Sequence, residues 1–290
     1  MENKADLIKV FKRISDKYKF FDRLIEKDYH LTRILHEVSK RQIRDLVFKG
    51  GTCLNKCYLD FYRLSEDLDF VYNSDVKELS KNQVRKKLGE IRKEFFEILD
   101  KIELKVDKEL GKGWKMLTSK KKPGIVGLEI ITGYISLIDN SSQTIKIEIS
   151  FRRKLRKPTR ERVIKHKFYD ILNEPLLKEN VKIEVIDLVE NFAEKFKALY
   201  SRDAIRDIYD INHIIINEIK VLDKEIFDLI ILKMNEQDKK VSEKEFLDFI
   251  KNLNNKIDNY DIKELEAVLK TDEKVDIEKI IKRIRKFFDV

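Results

Sequence analysis

The sequence predicts an α/β (α+β) protein: a small mixed sheet flanked by helices over residues 1–170, followed by a mainly α-helical domain over 171–290. Three observations carry this expectation. Only eight glycines and three prolines punctuate 290 residues, so long helices should dominate. Apolar runs of strand length are confined to the first part of the chain. From about residue 186 onward the apolar spacing is helical, with one late break at "DEKVD", 272–276.

Each element follows from its local pattern. Leu7, Val10, Phe11 and Ile14, then Leu24 and Ile25, then Leu31, Ile34, Leu35 and Val38 recur at helical spacing between residues 3 and 45. "DLVF", 45–48, is a short apolar run stopped by Gly50-Gly51, which reads as a strand running into a tight turn. "TCLNKCYLDFY" then reads as a helix with Thr52 as its N-cap. "LDFVY", 68–72, is a second strand, and residues 76–104 form a charged amphipathic helix built on Leu88, Ile91, Phe95 and Ile98. "GIVGLEIITGYISLID", 124–139, and "TIKIEISFRR", 144–153, are β-rich runs joined by Asp139-Asn140-Ser141-Ser142, a hairpin turn.

Composition narrows the class of function. The chain is 42% hydrophobic and 40% charged, so it is too apolar to be disordered. A net charge of +9 favours polyanionic partners such as RNA or nucleoside triphosphates; a lysine-rich proteome that makes all its surfaces basic is the alternative. No long uncharged apolar run and no leader stand out, so a cytoplasmic protein without a membrane partner is expected. Cys53 and Cys57 lie four apart in an apolar stretch without a nearby Cys or His, which reads as two buried small hydrophobes.

Three acids fall on strands. Asp67 and Asp69, two apart, point to the same face, and Glu148 sits between isoleucines in "KIEIS". A carboxylate in such a setting either faces solvent at a strand edge or meets a partner or metal. Carboxylates converging from two strands can bind Mg²⁺, or Mn²⁺, through hard oxygen ligands. The Gly50-Gly51 turn lets backbone N–H groups approach phosphate, and the Thr52 hydroxyl and the following helix start add to that cradle. Arg63 and Ser65 lie between the two features; they can contact phosphate, or Ser65 can cap the turn.

The pattern apolar-Gly-Gly-Thr, a spacer helix, then Arg63-x-Ser65-Glu66-Asp67-Leu68-Asp69-Phe70 resembles the AbiEii/AbiGii toxin family of nucleotidyltransferases, a branch of the DNA-polymerase-β-like superfamily. "ENFAEKFKALYSRDAIRDIYDI", 190–211, resembles the family's second block at Glu190, Lys195, Ala198, Leu199, Arg202, Arg206, Asp207 and Asp210, and "IEKDYHLTRIL", 25–35, its N-terminal helix. The resemblance spans residues 25–215. It implies a divalent metal on Asp67, Asp69 and Glu148, the last often Asp in the superfamily, and a triphosphate on Gly50, Gly51, Thr52, Arg63, Ser65, Lys195, Arg202 and Arg206. It also implies catalytic roles for Lys195, Asp207 and Asp210, with the helical half closing the nucleotide cleft.

On that basis the expected activity is transfer of an NMP from an NTP to an acceptor hydroxyl, with RNA, tRNA in particular, as acceptor. The expected biology is the toxin of an abortive-infection or toxin–antitoxin pair, acting as a monomer with a cognate antitoxin as partner. The residues alone leave other readings open. Lys195, Arg202 and Arg206 can be an exposed basic stripe paired with Glu194 and Asp203, and Asp207 a structural partner of Arg206. His213 reads as structural. In "FRRKLRKPTRERVIKHK", 151–167, nine of seventeen residues are Lys or Arg, which suits either a solvated loop or a path for acceptor phosphates. A protein acceptor, a non-toxic role, or an inactive nucleotide- or RNA-binding module are the competing functions.

Overall fold

The structure is a computed structural model that describes residues 4–74, 79–106, 113–118, 124–151, 154–170, 172–202, 204–236, 240–255 and 262–290. The chain divides into two compact units, Met1–Ile186 and Asp187–Val290. This boundary falls later than the 170/171 division read from the sequence. The reason is β8 (Lys182–Val185), which pairs parallel with β1 (Leu46–Lys49) through Phe48 and Val185 and so belongs to the sheet.

The first unit opens with helices α1 (Lys4–Tyr18) and α2 (Asp22–Arg41), whose buried positions include Val10, Phe11, Ile14, Leu31, Ile34 and Leu35, at the spacing the sequence shows. Its sheet also contains β2 (Leu68–Tyr72), β3 (Lys105–Val106), β4 (Trp114–Thr118), β5 (Ile125–Ile135), β6 (Ser142–Ser150) and β7 (Arg160–Val163). Among the described residues the order is β3-β5-β6-β2-β1-β8-β7, with β4 also on β5. β2 runs parallel to β6 and antiparallel to β1, so the sheet is mixed.

One face of this sheet is core: Phe48, Leu68, Phe70, Leu128, Ile130, Ile147 and Ile149 are all buried. Helix α4 (Lys81–Lys101) presents Leu88, Ile91, Phe95 and Ile98 from one stripe, and the Phe95 ring meets Phe70 edge-on with centroids 5.6 Å apart. A Ser80–Gln83 capping box starts α4, later than the 76–104 span read from the sequence, whose residues 76–78 lie outside the described ones. Strict alternation along β2 and β6 sends the odd-numbered Asp67 and Asp69 and the even-numbered Lys146 and Glu148 away from this core.

The segment after Gly50-Gly51 is helical, as expected, but not uniformly. A four-residue turn α3 (Gly50–Cys53) passes into a π-helical turn, Leu54–Tyr58, closed by a 2.7 Å bond from Leu59 N–H to Leu54 O. The Lys56 ammonium anchors this turn: it is fully buried, lies 2.8 Å from Asp28 on α2 and donates to the Thr32 hydroxyl at 2.8 Å. Cys53 and Cys57 are buried free thiols, as the sequence suggested.

The second unit holds α5 (Leu188–Ser201), α6 (Ile205–Asn217), α7 (Lys224–Met234), α8 (Glu243–Lys251), α9 (Ile262–Glu266) and α10 (Ile277–Phe287). Asp187 caps α5 by accepting from Val189 N–H, and Asp276 at the end of the predicted "DEKVD" break caps α10. Phe192, Phe196, Phe246 and Phe288 form its edge-to-face aromatic centre. No helix among the described residues is long and apolar enough to cross a membrane.

His36 on α2 is buried beside His166 and Lys56. Burial first, and then the charges of His166, Lys56 and Lys40 against an opposing pull from Glu37, hold its pKa down at about 4. A depressed imidazole leaves the unfolded chain binding more protons, so its contribution is complete above pH 6.5 and is lost as pH falls from 6.5 towards 4. Urea titrations from pH 7.5 to pH 5 should show wild type losing stability with a slope that His36→Gln flattens by roughly 2 kcal/mol at pH 5. An unchanged slope would contradict a neutral buried His36.

Candidate active site

The chain leaves β1 at Lys49, in extended conformation, and turns at Gly50 with φ +80°. A Cβ on Gly50 would stand 2.4 Å from Asp69 Oδ2, and one on Gly51 2.7 Å from an Arg63 guanidinium nitrogen and 3.3 Å from Ser65 Oγ. The two glycines are therefore the surface against which Asp69, Arg63 and Ser65 pack. Arg63 is 3% exposed and also donates to Leu64 O at 2.8 Å.

Thr52 differs from its expected role. The helical turn begins at Gly50 with Lys49 as its N-cap, so Thr52 lies inside it, and its buried hydroxyl donates to the Asp67 carbonyl. The bond ties the glycine turn to the start of β2, because a hydroxyl buried at 1% exposure must find an acceptor and Asp67 O is the one in reach.

Strand register builds the rest. Asp69 lies opposite Lys49 on β1 and beside Glu148 on β6; Glu148 in turn lies opposite Glu129 on β5, and Glu129 opposite Lys115 on β4. One rung of the sheet thus reads Lys49, Asp69, Glu148, Glu129, Lys115. Lys115 meets Glu129 at 2.6 Å, and two residues back along β6 from Glu148, Lys146 meets Asp67 at 3.4 Å. Burial raises the Asp67 pKa, with nearby Asp69 and Glu66 adding to the rise and Lys146 opposing it. Lys146 is pushed up in turn: burial works against it, but Asp67, Asp69 and Glu148 outweigh that.

Among the described residues no three His, Cys, Asp or Glu side chains are gathered into a cluster that could hold a metal. The donor set on this face is nonetheless the hard-oxygen kind that Mg²⁺ takes, and Asp67 already draws a cation, the Lys146 ammonium, to it.

In the second unit, Lys195 on α5 is 8% exposed and lies 3.0 Å from Asp207 and 2.6 Å from Asp210, both on α6. Arg202 joins the group at 3.1 Å from Asp207. The structure brings these four residues of the sequence block together. It does not form a single-helix stripe: α5 ends at Ser201, Arg202 is extended, and Arg206 sits on α6, where it donates to Glu264 O at 3.1 Å. Glu194 pairs with Lys233 at 3.0 Å, and Glu190 with the same ammonium at 2.5 Å; Asp203 lies outside the described residues.

Of the basic segment, Arg152 and Arg153 lie outside the described residues. Arg162 on β7 covers the Tyr58 ring at 4.8 Å, and Lys165 and Lys167 face Asp60 at 3.9 and 3.3 Å, whereas Lys154, Arg156 and Arg160 are exposed. Sequence reasoning missed Lys146 and Glu129. The alternation in "KIEIS" already placed Lys146 on the Glu148 face; Glu129 could be seen only once β5 and β6 were paired.

A mixed sheet whose glycine turn abuts an Asp-x-Asp strand defines the class: a nucleotidyltransferase. The family model for "Nucleotidyl transferase AbiEii toxin, Type IV TA system" matches residues 33–287, and the chain belongs to that family of toxins of type IV toxin–antitoxin systems. Membership implies a nucleoside triphosphate substrate and an antitoxin partner. No curated protein matches the chain. Among solved structures, it resembles MenT4, a nucleotidyltransferase toxin from Mycobacterium tuberculosis H37Rv, with 18% identity over 99% of this chain and 89% of that one and a TM-score of 0.63. It also resembles JHP933 from Helicobacter pylori, with 16% identity over 93% and 92% of the two chains and a TM-score of 0.53. At these identities the likeness is one of fold.

Three substitutions test the packing described. Gly50→Ala forces both a positive φ and a Cβ into the Asp69 carboxylate, and should cost about 1–3 kcal/mol in denaturant unfolding. Gly89→Ala, in α4 with open space around it, should instead stabilise by up to ~1 kcal/mol. Lys195→Met removes the ammonium between two buried carboxylates and should destabilise by about 3–5 kcal/mol. Activity lost in that variant must therefore be read beside its melting curve.

Proposed function

We propose that this nucleotidyltransferase moves an NMP from an NTP to the hydroxyl of an RNA acceptor, tRNA in particular, at the Gly50–Asp69 face. The observation that carries the reading is the contact of Gly50 with the Asp69 carboxylate: phosphate cradle and acidic strand meet in one place. The Gly50-Gly51 turn, which carries no side chain of its own, would offer backbone N–H groups to phosphate oxygens, with Arg63 and Ser65 packed against it as further donors. The acceptor oxygen forms a bond to the α-phosphorus as the bond to the pyrophosphate oxygen breaks, in line. Asp67 and Asp69, with Glu148 beside them, would hold Mg²⁺, which supplies positive charge to the phosphates and orients them.

Thr52 acts on this site indirectly, by holding the Asp67 backbone against the turn. For the second unit, we assign Lys195 as the neutralising cation for the triphosphate, fixed in direction by Asp207 and Asp210, with Arg202 in the same group. RNA as acceptor is supported by the exposed Lys154, Arg156 and Arg160, basic side chains that follow the strand carrying Glu148. An RNA acceptor, tRNA in particular, would place this activity in the cytoplasm.

The test is incubation with each α-³²P NTP, Mg²⁺ and total RNA, comparing wild type with Asp67→Ala/Asp69→Ala. Wild type should label RNA with a preferred nucleotide, and the double variant should fall at least 100-fold, as expected when charge stabilisation at the reacting phosphate is removed. Label on protein in place of RNA would overturn the acceptor, and equal labelling by both proteins would overturn the site.

A further inference from the structure

The acidic strands do not stand alone: a cation belonging to the chain is already among them. Lys146 occupies the β6 position beside Asp67, because Leu68 pairs with Ile147 and Asp69 with Glu148 in a parallel register. Its ammonium lies 3.4 Å from Asp67 Oδ2, with Asp69 and Glu148 close enough to stabilise its charge. On the same face Lys115 is engaged with Glu129, at the far end of the rung.

We propose that Lys146 is the built-in competitor of the divalent ion: its ammonium balances the Asp67–Asp69–Glu148 charge until a metal displaces it, and it thereby sets the metal affinity of the site. This rests on the metal reading given above. Two cations of total charge three cannot share one carboxylate pair at ion-pair distance without strong repulsion, which falls only as 1/r. Displacement is feasible because the Lys146 side chain is 41% exposed and its four-carbon stem can carry the ammonium into water. A buried lysine such as Lys56, at 0% exposure, has no such exit. Lys146 is in this sense a positioning residue whose effect is on ion occupancy, not on the transferred phosphorus.

The measurement is Mn²⁺ binding to chelator-treated, full-length protein, followed by loss of the free Mn²⁺ EPR signal without nucleotide. Lys146→Met and Lys146→Gln should each bind Mn²⁺ about tenfold more tightly than wild type, equivalent to about 1.4 kcal/mol, while Lys146→Arg should stay near wild type. The melting temperature gives a second readout. In chelator Lys146→Met should melt below wild type, from carboxylate repulsion, and Mn²⁺ should raise its Tm more than it raises that of wild type. A merely structural lysine would lower both Tm values and leave Kd unchanged.

Equal or weaker Mn²⁺ binding by both neutral variants, with binding lost in Asp67→Ala/Asp69→Ala, would overturn the competitor role and leave the metal site intact. Binding that persists in Asp67→Ala/Asp69→Ala, or no Mn²⁺ binding by any of the proteins, would overturn the metal reading and this inference with it.

Discussion

The contact between Gly50 and the Asp69 carboxylate is the constraint on which the rest of the site depends. Gly50 must adopt φ +80° to turn the chain from β1 into α3, and it must lack a Cβ because Asp69 Oδ2 would lie 2.4 Å from one. Both demands disfavour an L side chain, for separate reasons: one is backbone sterics, the other through-space overlap with the Asp69 carboxylate. The antiparallel pairing of β1 with β2 supplies the closeness, since Lys49 and Asp69 are register partners. The Thr52 bond to the Asp67 carbonyl then fixes the turn from its other end. Three short-range facts therefore converge on one small volume.

Rigidity around that volume comes from charge buried away from it. Lys56, within the π-helical turn that separates the glycines from β2, is held in the interior by Asp28 and Thr32 of α2. Such an arrangement is costly to assemble and costly to break on one side only, so it specifies geometry more than it adds stability. In the second unit Lys195, Asp207 and Asp210 follow the same logic, and Lys233 does so again with Glu190 and Glu194. Lys146 contrasts with all three: its ion pair is solvent-accessible, and an accessible pair can be exchanged for another cation.

Much of this was legible in the residues. "LVF" before two glycines and "LDFVY" after the spacer are β1 and β2 within a residue or two, and the Asp139–Ser142 turn does join β5 to β6. The family block singled out Lys195, Arg202, Asp207 and Asp210, but that Arg202 pairs with Asp207, in place of Arg206, came only with the fold. Thr52 was misplaced because N-cap residues and helix-interior hydroxyls look alike until the strand that accepts the bond is known. The helix stripe from Lys195 to Arg206 failed because the break after Ser201 carries neither Gly nor Pro to announce it.

By itself, then, the sequence determined what each strand could present: alternation puts Asp67 and Asp69 on one face and Lys146 and Glu148 on one face, whatever the partners. It also determined the need for glycine at the turn and the family to which the chain belongs. Only the tertiary structure decided which faces coincide. Parallel pairing of β2 with β6, and of β1 with β8 from the far end of the unit, brings together residues separated by roughly eighty to one hundred and forty positions. Register between distant strands depends on packing of the whole sheet against α2 and α4, and no local pattern encodes it. That is why the shared face of Asp67 and Asp69 could be read from the chain alone, but the ammonium beside Asp67, that of Lys146, could not.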